Sequence, residues 1–147
     1  MFGSIVVGTD GSDTAIEAVR QAVELAARLG ARLHIVSAYE PVPEGRVREE
    51  ALQAPADLQW RVNAREDVDA TLRGAAEVAS DGGVEAATYG RQGDPADAIL
   101  DVAEEQGADL IVVGNKGMTG ARRFLLGSVP NRVSHHAPCS VLIIRTS

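Results

Sequence analysis

Two glycine-punctuated segments carry the residues that could bind or process a ligand. One is Gly8-Thr9-Asp10-Gly11-Ser12; the other runs from Gly114 through Asn115, Lys116, Gly117, Arg122 and Arg123 to Gly127-Ser128. In the second, Gly114 and Gly117 hold no Cβ that would keep a ligand off the backbone. Gly127-Ser128 opens a helical pattern, and a helix start offers free N–H groups and a positive dipole end to an anion. The Ser128 hydroxyl adds a hydrogen bond to a phosphate oxygen, and Lys116, Arg122 and Arg123 supply charge nearby. This is the chemistry of a phosphate cradle. From spacing alone, a glycine-rich connection shaped for turn geometry explains the segment equally well. It is neither a Walker A loop, since no GxxxxGK[ST] occurs, nor a GxGxxG dinucleotide fingerprint.

Other reactive residue types read more plainly. Asp10 either braces the 9–12 turn, as Asp often does, or meets a ligand. Ser12, Ser128 and Ser134 lie in no GxSxG elbow. Cys139, the single cysteine, precedes an apolar run and reads as a small buried residue. His135 and His136 read as exposed residues near a helix C-terminus, where the dipole favours them. Glu49-Glu50 and Glu104-Glu105 read as solvated faces. Trp60 reads as a cover for a sheet edge rather than a partner anchor.

The elements that must position these residues follow from hydrophobic period. Ser4–Gly8 is an apolar run of strand length, buried on both faces. Ala15, Ile16, Val19, Ala22, Val23, Ala26 and Leu29 form a helical stripe, with Ser12-Asp13 as start and Gly30 as stop. Residues 32–39 make a second strand. Residues 40–62 hold Pro41, Pro43 and Pro55 and read as a variable surface loop. A helix from about 62 to 80 turns Val68, Leu72, Ala75, Ala76 and Ala79 inward. Residues 84–89 make a third strand. Asp94 caps a helix with Pro95 at its first position, and Ile99, Val102 and Ala103 face the core. Residues 109–113 and 140–144 make the last two strands. Between them a helix from 127–128 points Val129 and Val133 inward, with Pro130 tolerated in its first turn. Helices between successive strands imply right-handed crossovers and a parallel sheet covered on both faces.

The 147 residues suit one domain. Aromatics are 3%, so the core must be aliphatic. A formal charge of −7 argues against a nucleic-acid phosphate binder and against an anionic membrane surface. No apolar run reaches a membrane span, and no charged n-region with an apolar h-region precedes the first strand, so a cytoplasmic protein is expected. Lys116 is the only lysine, and it falls inside the candidate cradle.

Gly114-x2-Gly117-x9-Gly127-Ser128 resembles the nucleotide signature G-x2-G-x9-G-[ST] of the universal stress protein family. Ile5-Val6-Val7-Gly8-Thr9-Asp10-Gly11-Ser12, Gly93-Asp94-Pro95, Ala108–Gly114 and Ala137–Ile144 resemble that family's other landmarks in the same order. The resemblance spans residues 1–147 except the variable loop at 40–62. It implies an α/β doubly wound, Rossmann-like sheet of five parallel strands, order 3-2-1-4-5, whose strand order reverses between the two loops singled out above. It implies ATP, usually with a divalent ion such as Mg²⁺, as the ligand. Thr9 and Asp10 would then meet adenine, and Ala38 would pack on the base. Gly114 and Gly117 would line the ribose and phosphate approach, and Gly127, Ser128 and Val129 would hold phosphates. Pro130 departs from many ATP-binding members, because it removes one N–H. Ser37-Ala38-Tyr39 and Leu125–Pro130 resemble actinobacterial members, some of which bind cyclic AMP, so cyclic AMP is the alternative ligand. The implied role is a stress-response or signalling module, or a nucleotide reservoir, at most weakly hydrolytic with Asp10 or Asp13 placing metal or water. A homodimer through strand 140–144 is also implied. A nucleotide-independent interaction protein is the competing reading.

Overall fold

A computed structural model describes residues 2–39, 64–115 and 128–146. The elements in chain order are β1 (Ser4–Gly8), α1 (Asp13–Leu29), β2 (Arg32–Tyr39), α2 (Ala64–Asp81), β3 (Ala86–Gln92), α3 (Pro95–Glu105), β4 (Leu110–Gly114), α4 (Ser128–His136) and β5 (Ser140–Ile144). The strands form one sheet of order β3-β2-β1-β4-β5, and every neighbouring pair is parallel. The expected doubly wound α/β fold and its strand order are what the chain adopts.

The burial of β1 explains its unbroken apolar run. It lies between β2 and β4, and all five of its residues are buried. Ile5 and Val7 face a core built with Ala18, Val19, Ala22, Val23 and Ala26 of α1 and Val68, Leu72, Ala75 and Ala79 of α2. Val6 faces the opposite core, with Ala96, Ile99, Val102 and Ala103 of α3 and Val129 and Val133 of α4. Each buried Val, Leu or Ile side chain contributes roughly 1.5–3 kcal/mol relative to exposure, and each alanine less. Below the sheet, the Asp109 carboxylate accepts the backbone N–H of Gly3 at 2.9 Å and of Ser4 at 3.0 Å. Those two bonds hold Asp109 below its ordinary carboxylate value, and they tie the entry to β1 to the start of β4.

Several boundaries differ from the sequence reading. The third strand begins at Ala86 rather than Val84, because the Val84 N–H is taken by Ala79 O at 2.8 Å as α2 closes. It then runs on to Gln92, held in register by β2. Leu29 is 42% exposed rather than inward, being the last residue before Gly30 turns the chain in the left-handed region. Ala76 is half-buried. Cys139 is also half-buried, at the rim of the α3–α4 core; burial first, then the Asp109 charge, raises its thiol pKa. His135 and His136 are exposed, as expected. Trp60 and the loop at 40–62 lie outside the described residues.

Candidate functional site

β2 and β3 outreach the strand beside them. The β1–β2 register ends at Gly8 opposite Val36, whereas β2 and β3 stay paired as far as Tyr39 opposite Gln92. At ~3.3 Å per residue the three-residue overhang makes a wall about 10 Å high beside the end of β1. On the other flank β4 continues to Gly114, paired with Ile144. The end of β1 therefore floors a crevice, at the point where the strand order reverses. That is where open α/β sheets bind ligands.

Thr9 follows directly on β1. It is fully buried, its N–H donates to Val36 O at 2.9 Å, and its Oγ1 accepts the Gly11 N–H at 3.1 Å. Asp10 is exposed and braces the same turn, its Oδ1 accepting the Ser12 N–H at 2.9 Å. Gly11 makes the turn feasible. Its φ is +84°, and a Cβ there would lie 2.7 Å from Thr71 Oγ1 on α2. Ser12 then caps α1 by accepting the Ala15 N–H at 3.2 Å. The polar groups of this loop are thus largely committed to its own shape, and Asp10 has the bracing role its residue type allows.

Ala38, on the overhanging wall, is half-buried and packs against the α3–α4 core. Gly114 is half-buried at the opposite wall, and a Cβ there would meet Thr146 Cγ2 at 3.6 Å, an ordinary contact. Ser128 is exposed at the first position of α4, and Val129 is buried beneath it. The fold brings Thr9, Asp10, Ala38, Gly114, Ser128 and Val129 to the same end of the sheet. Lys116, Gly117, Arg122, Arg123 and Gly127 lie outside the described residues.

The start of α4 differs electrostatically from the other helix starts. Its first turn holds no acidic residue. By contrast α1 begins with Asp13, α2 with Glu66 and Asp67, and α3 with Asp97. Those carboxylates complement their own dipoles, while the α4 start has no acidic side chain in its own first turn to do so. Pro130 is buried in its third position and takes one N–H from the set.

Residue types alone did not single out two further features. Arg132 on α4 reaches Asp94 Oδ2 at 3.2 Å and Asp97 Oδ1 at 2.8 Å, joining α4 to the capped end of α3. Asn115, just beyond β4, binds Thr146 just beyond β5. Both are contacts between elements distant in sequence, and no local motif announces them. Among the described residues, no three His, Cys, Asp or Glu side chains gather to hold a metal ion, and no helix is long and apolar enough to cross a membrane.

Known proteins share the fold that carries these residues. A universal stress protein of Mycobacterium tuberculosis is 37% identical over 147 residues, covering 99% of this chain and 98% of that protein. A crystal structure of a universal stress protein in complex with cAMP superposes with a TM-score of 0.76 at 36% identity, covering 99% of each chain. A universal stress protein from Archaeoglobus fulgidus in complex with dAMP superposes with a TM-score of 0.66 at 27% identity, covering 97% of this chain and 98% of that one. The sequence profile of the Universal stress protein family matches residues 1–145, so the crevice above β1 is set in a chain that belongs to that family.

Proposed function

We propose that this protein binds an adenine nucleotide in the crevice above β1 and acts as a cytoplasmic stress-response or signalling module. The observation that carries the reading is the acid-free start of α4, opening at the same sheet end as Thr9, just past β1, and Gly114, the last residue of β4, the two strands that flank the reversal. The base would lie against Ala38 near Thr9 and Asp10, and the phosphates would meet Ser128, Val129 and the segment holding Gly117 and Gly127. Lys116, Arg122 and Arg123 would supply charge along that segment. ATP is the ligand favoured by the G-x2-G-x9-G-[ST] spacing, and Mg²⁺ would travel with its phosphates. Asp10 and Asp13, in and just after the loop beyond β1, would place the ion or a water on it, which suits an ion carried largely by phosphate and water. Hydrolysis would be slow, since among the described residues no three His, Cys, Asp or Glu side chains gather to hold a metal ion. Cyclic AMP is the second reading, supported by the cAMP complex of the 36% identical relative. A homodimer through β5 completes the reading.

Equilibrium dialysis against ATP, ADP, AMP and cyclic AMP tests it. Micromolar binding of at least one is expected, and no binding below millimolar for any of them overturns it. Gly114→Ala sharpens the test. The protein can accept that methyl, since its nearest neighbour would be Thr146 Cγ2 at 3.6 Å. The variant should therefore stay folded and bind nucleotide about tenfold or more weakly, because the Cβ opposes ligand approach.

A further inference from the structure

β4 ends at Gly114, and the backbone is tied to β5 once more at the next residue. The Asn115 N–H donates to Ile144 O at 2.9 Å, adding a last rung to the β4–β5 ladder. The Asn115 side-chain carbonyl then accepts two hydrogen bonds from one residue: the Thr146 backbone N–H at 2.9 Å and the Thr146 hydroxyl at 3.1 Å. A carbonyl oxygen offers two lone pairs, so its accepting capacity is filled. Asn115 and Thr146 are both half-buried, so water competes less for these bonds than at an open surface. Gly114, immediately before the pair, imposes little backbone preference of its own. The latch adds two hydrogen bonds to the 114–115 backbone's hold on β5 beyond the final rung.

We infer that Asn115, held by Thr146, is a positioning residue that fixes the Gly114–Asn115 backbone at the edge of the nucleotide site. The inference rests on the proposed nucleotide site. Asn115 acts through the backbone at Gly114, not by touching the ligand. Holding that backbone before ligand arrives removes part of the ordering entropy that binding would otherwise meet. The role uses only the acceptor oxygen of Asn115 and the two donors of Thr146, so substitutions can separate it from size and shape.

Asn115→Ala removes the acceptor and strands both donors. It should weaken ATP and cyclic AMP binding by roughly five- to tenfold. Thr146→Val keeps the shape and the backbone N–H but loses the hydroxyl donor; it should weaken binding about threefold. Thr146→Ser restores that donor and should bind as the parent protein does. Calorimetric affinity is read alongside the thermal midpoint, since a merely structural residue would move the midpoint and leave affinity of the folded protein unchanged. Parent-like affinity in Asn115→Ala, or a Thr146→Ser as weak as Thr146→Val, overturns the inference. Amide hydrogen exchange keeps it separate from the nucleotide reading. In the nucleotide-free parent protein the Thr146 amide should be protected, and in Asn115→Ala it should exchange at least about tenfold faster. A Thr146 amide that is unprotected in the parent protein refutes the latch even if nucleotide binds. A protected one beside absent nucleotide binding refutes the site, and with it the role given to Asn115.

Discussion

His34 is a histidine on a sheet face otherwise packed with aliphatic side chains. It is 6% exposed, and its Nδ1 shares a 3.0 Å hydrogen bond with the Tyr89 hydroxyl on β3. Its Nε2 is buried with no hydrogen-bond partner among the described residues. Protonation would place a charge and a second N–H where no acceptor stands. Burial, and secondarily the Arg32 guanidinium, accordingly lower its pKa from 6.5. The folded state therefore binds this proton less readily than the unfolded chain does. The resulting stability is fully present above about pH 6.5 and is lost as pH falls below it, by at most about 1.4 kcal/mol per pH unit for one proton. Denaturant midpoints measured from pH 7.5 to 5 should decline in the parent protein and decline less in His34→Leu. An NMR titration of the parent imidazole gives a second reading, and a pKa at or above 6.5 would refute the account. Residue-scale legibility was uneven. Thr9, Asp10, Gly114 and Ser128 stood out because turn and cradle chemistry is local. Asn115–Thr146 and His34–Tyr89 did not, because their partners are 31 and 55 residues apart in sequence.

At the scale of elements, caps and hydrophobic period were sufficient for most of the path. Ser12, Gly30, Asp94 and Pro95 stand where capping chemistry requires them. The least legible element was β3. Its residues are mostly exposed or half-buried, so it lacks the apolar run that marks β1, and pairing with β2 sets its limits. Helix contacts were equally hidden, and Asp94 shows why. Its Oδ2 accepts the Asp97 N–H at 3.1 Å as a cap and also meets Arg132 of α4 at 3.2 Å. Cap loss alone is worth about 0.5–2 kcal/mol, while an exposed ion pair is worth about 0–1 kcal/mol. Asp94→Ala should thus lower stability by about 1–2 kcal/mol and Arg132→Ala by less than about 1 kcal/mol. Asp94→Ser, which keeps the cap and drops the charge, should resemble Arg132→Ala. Urea unfolding of the three variants checks the ranking, and an Asp94→Ala as stable as the parent protein would remove the cap from the account.

For the molecule as a whole, the decisive surface is the β5 edge. β5 pairs only with β4 among the described strands, and Leu142 and Ile143 are 40% and 37% exposed. An apolar edge with open backbone groups invites another chain. The net charge of −7 opposes contact between copies in general, yet Ser140–Ile144 contains no charged residue, so little repulsion is local to the edge. A two-fold axis normal to the sheet would set the same strand of two copies antiparallel, the self-complementary arrangement favoured in dimers. The backbone indicates which residue to change. Ile144 O accepts from Asn115 toward β4. In a ladder alternate residues face the same neighbour, so the backbone groups of Val141 and Ile143 face outward. Proline at 143 would delete an outward N–H without removing a rung to β4. Sedimentation velocity should show a dimer for the parent protein at micromolar concentration. Ile143→Pro and Ile143→Lys should both sediment as monomers whose far-UV circular dichroism matches the parent's. A monomeric parent protein, or an Ile143→Pro variant that still dimerises, would exclude this edge as the interface.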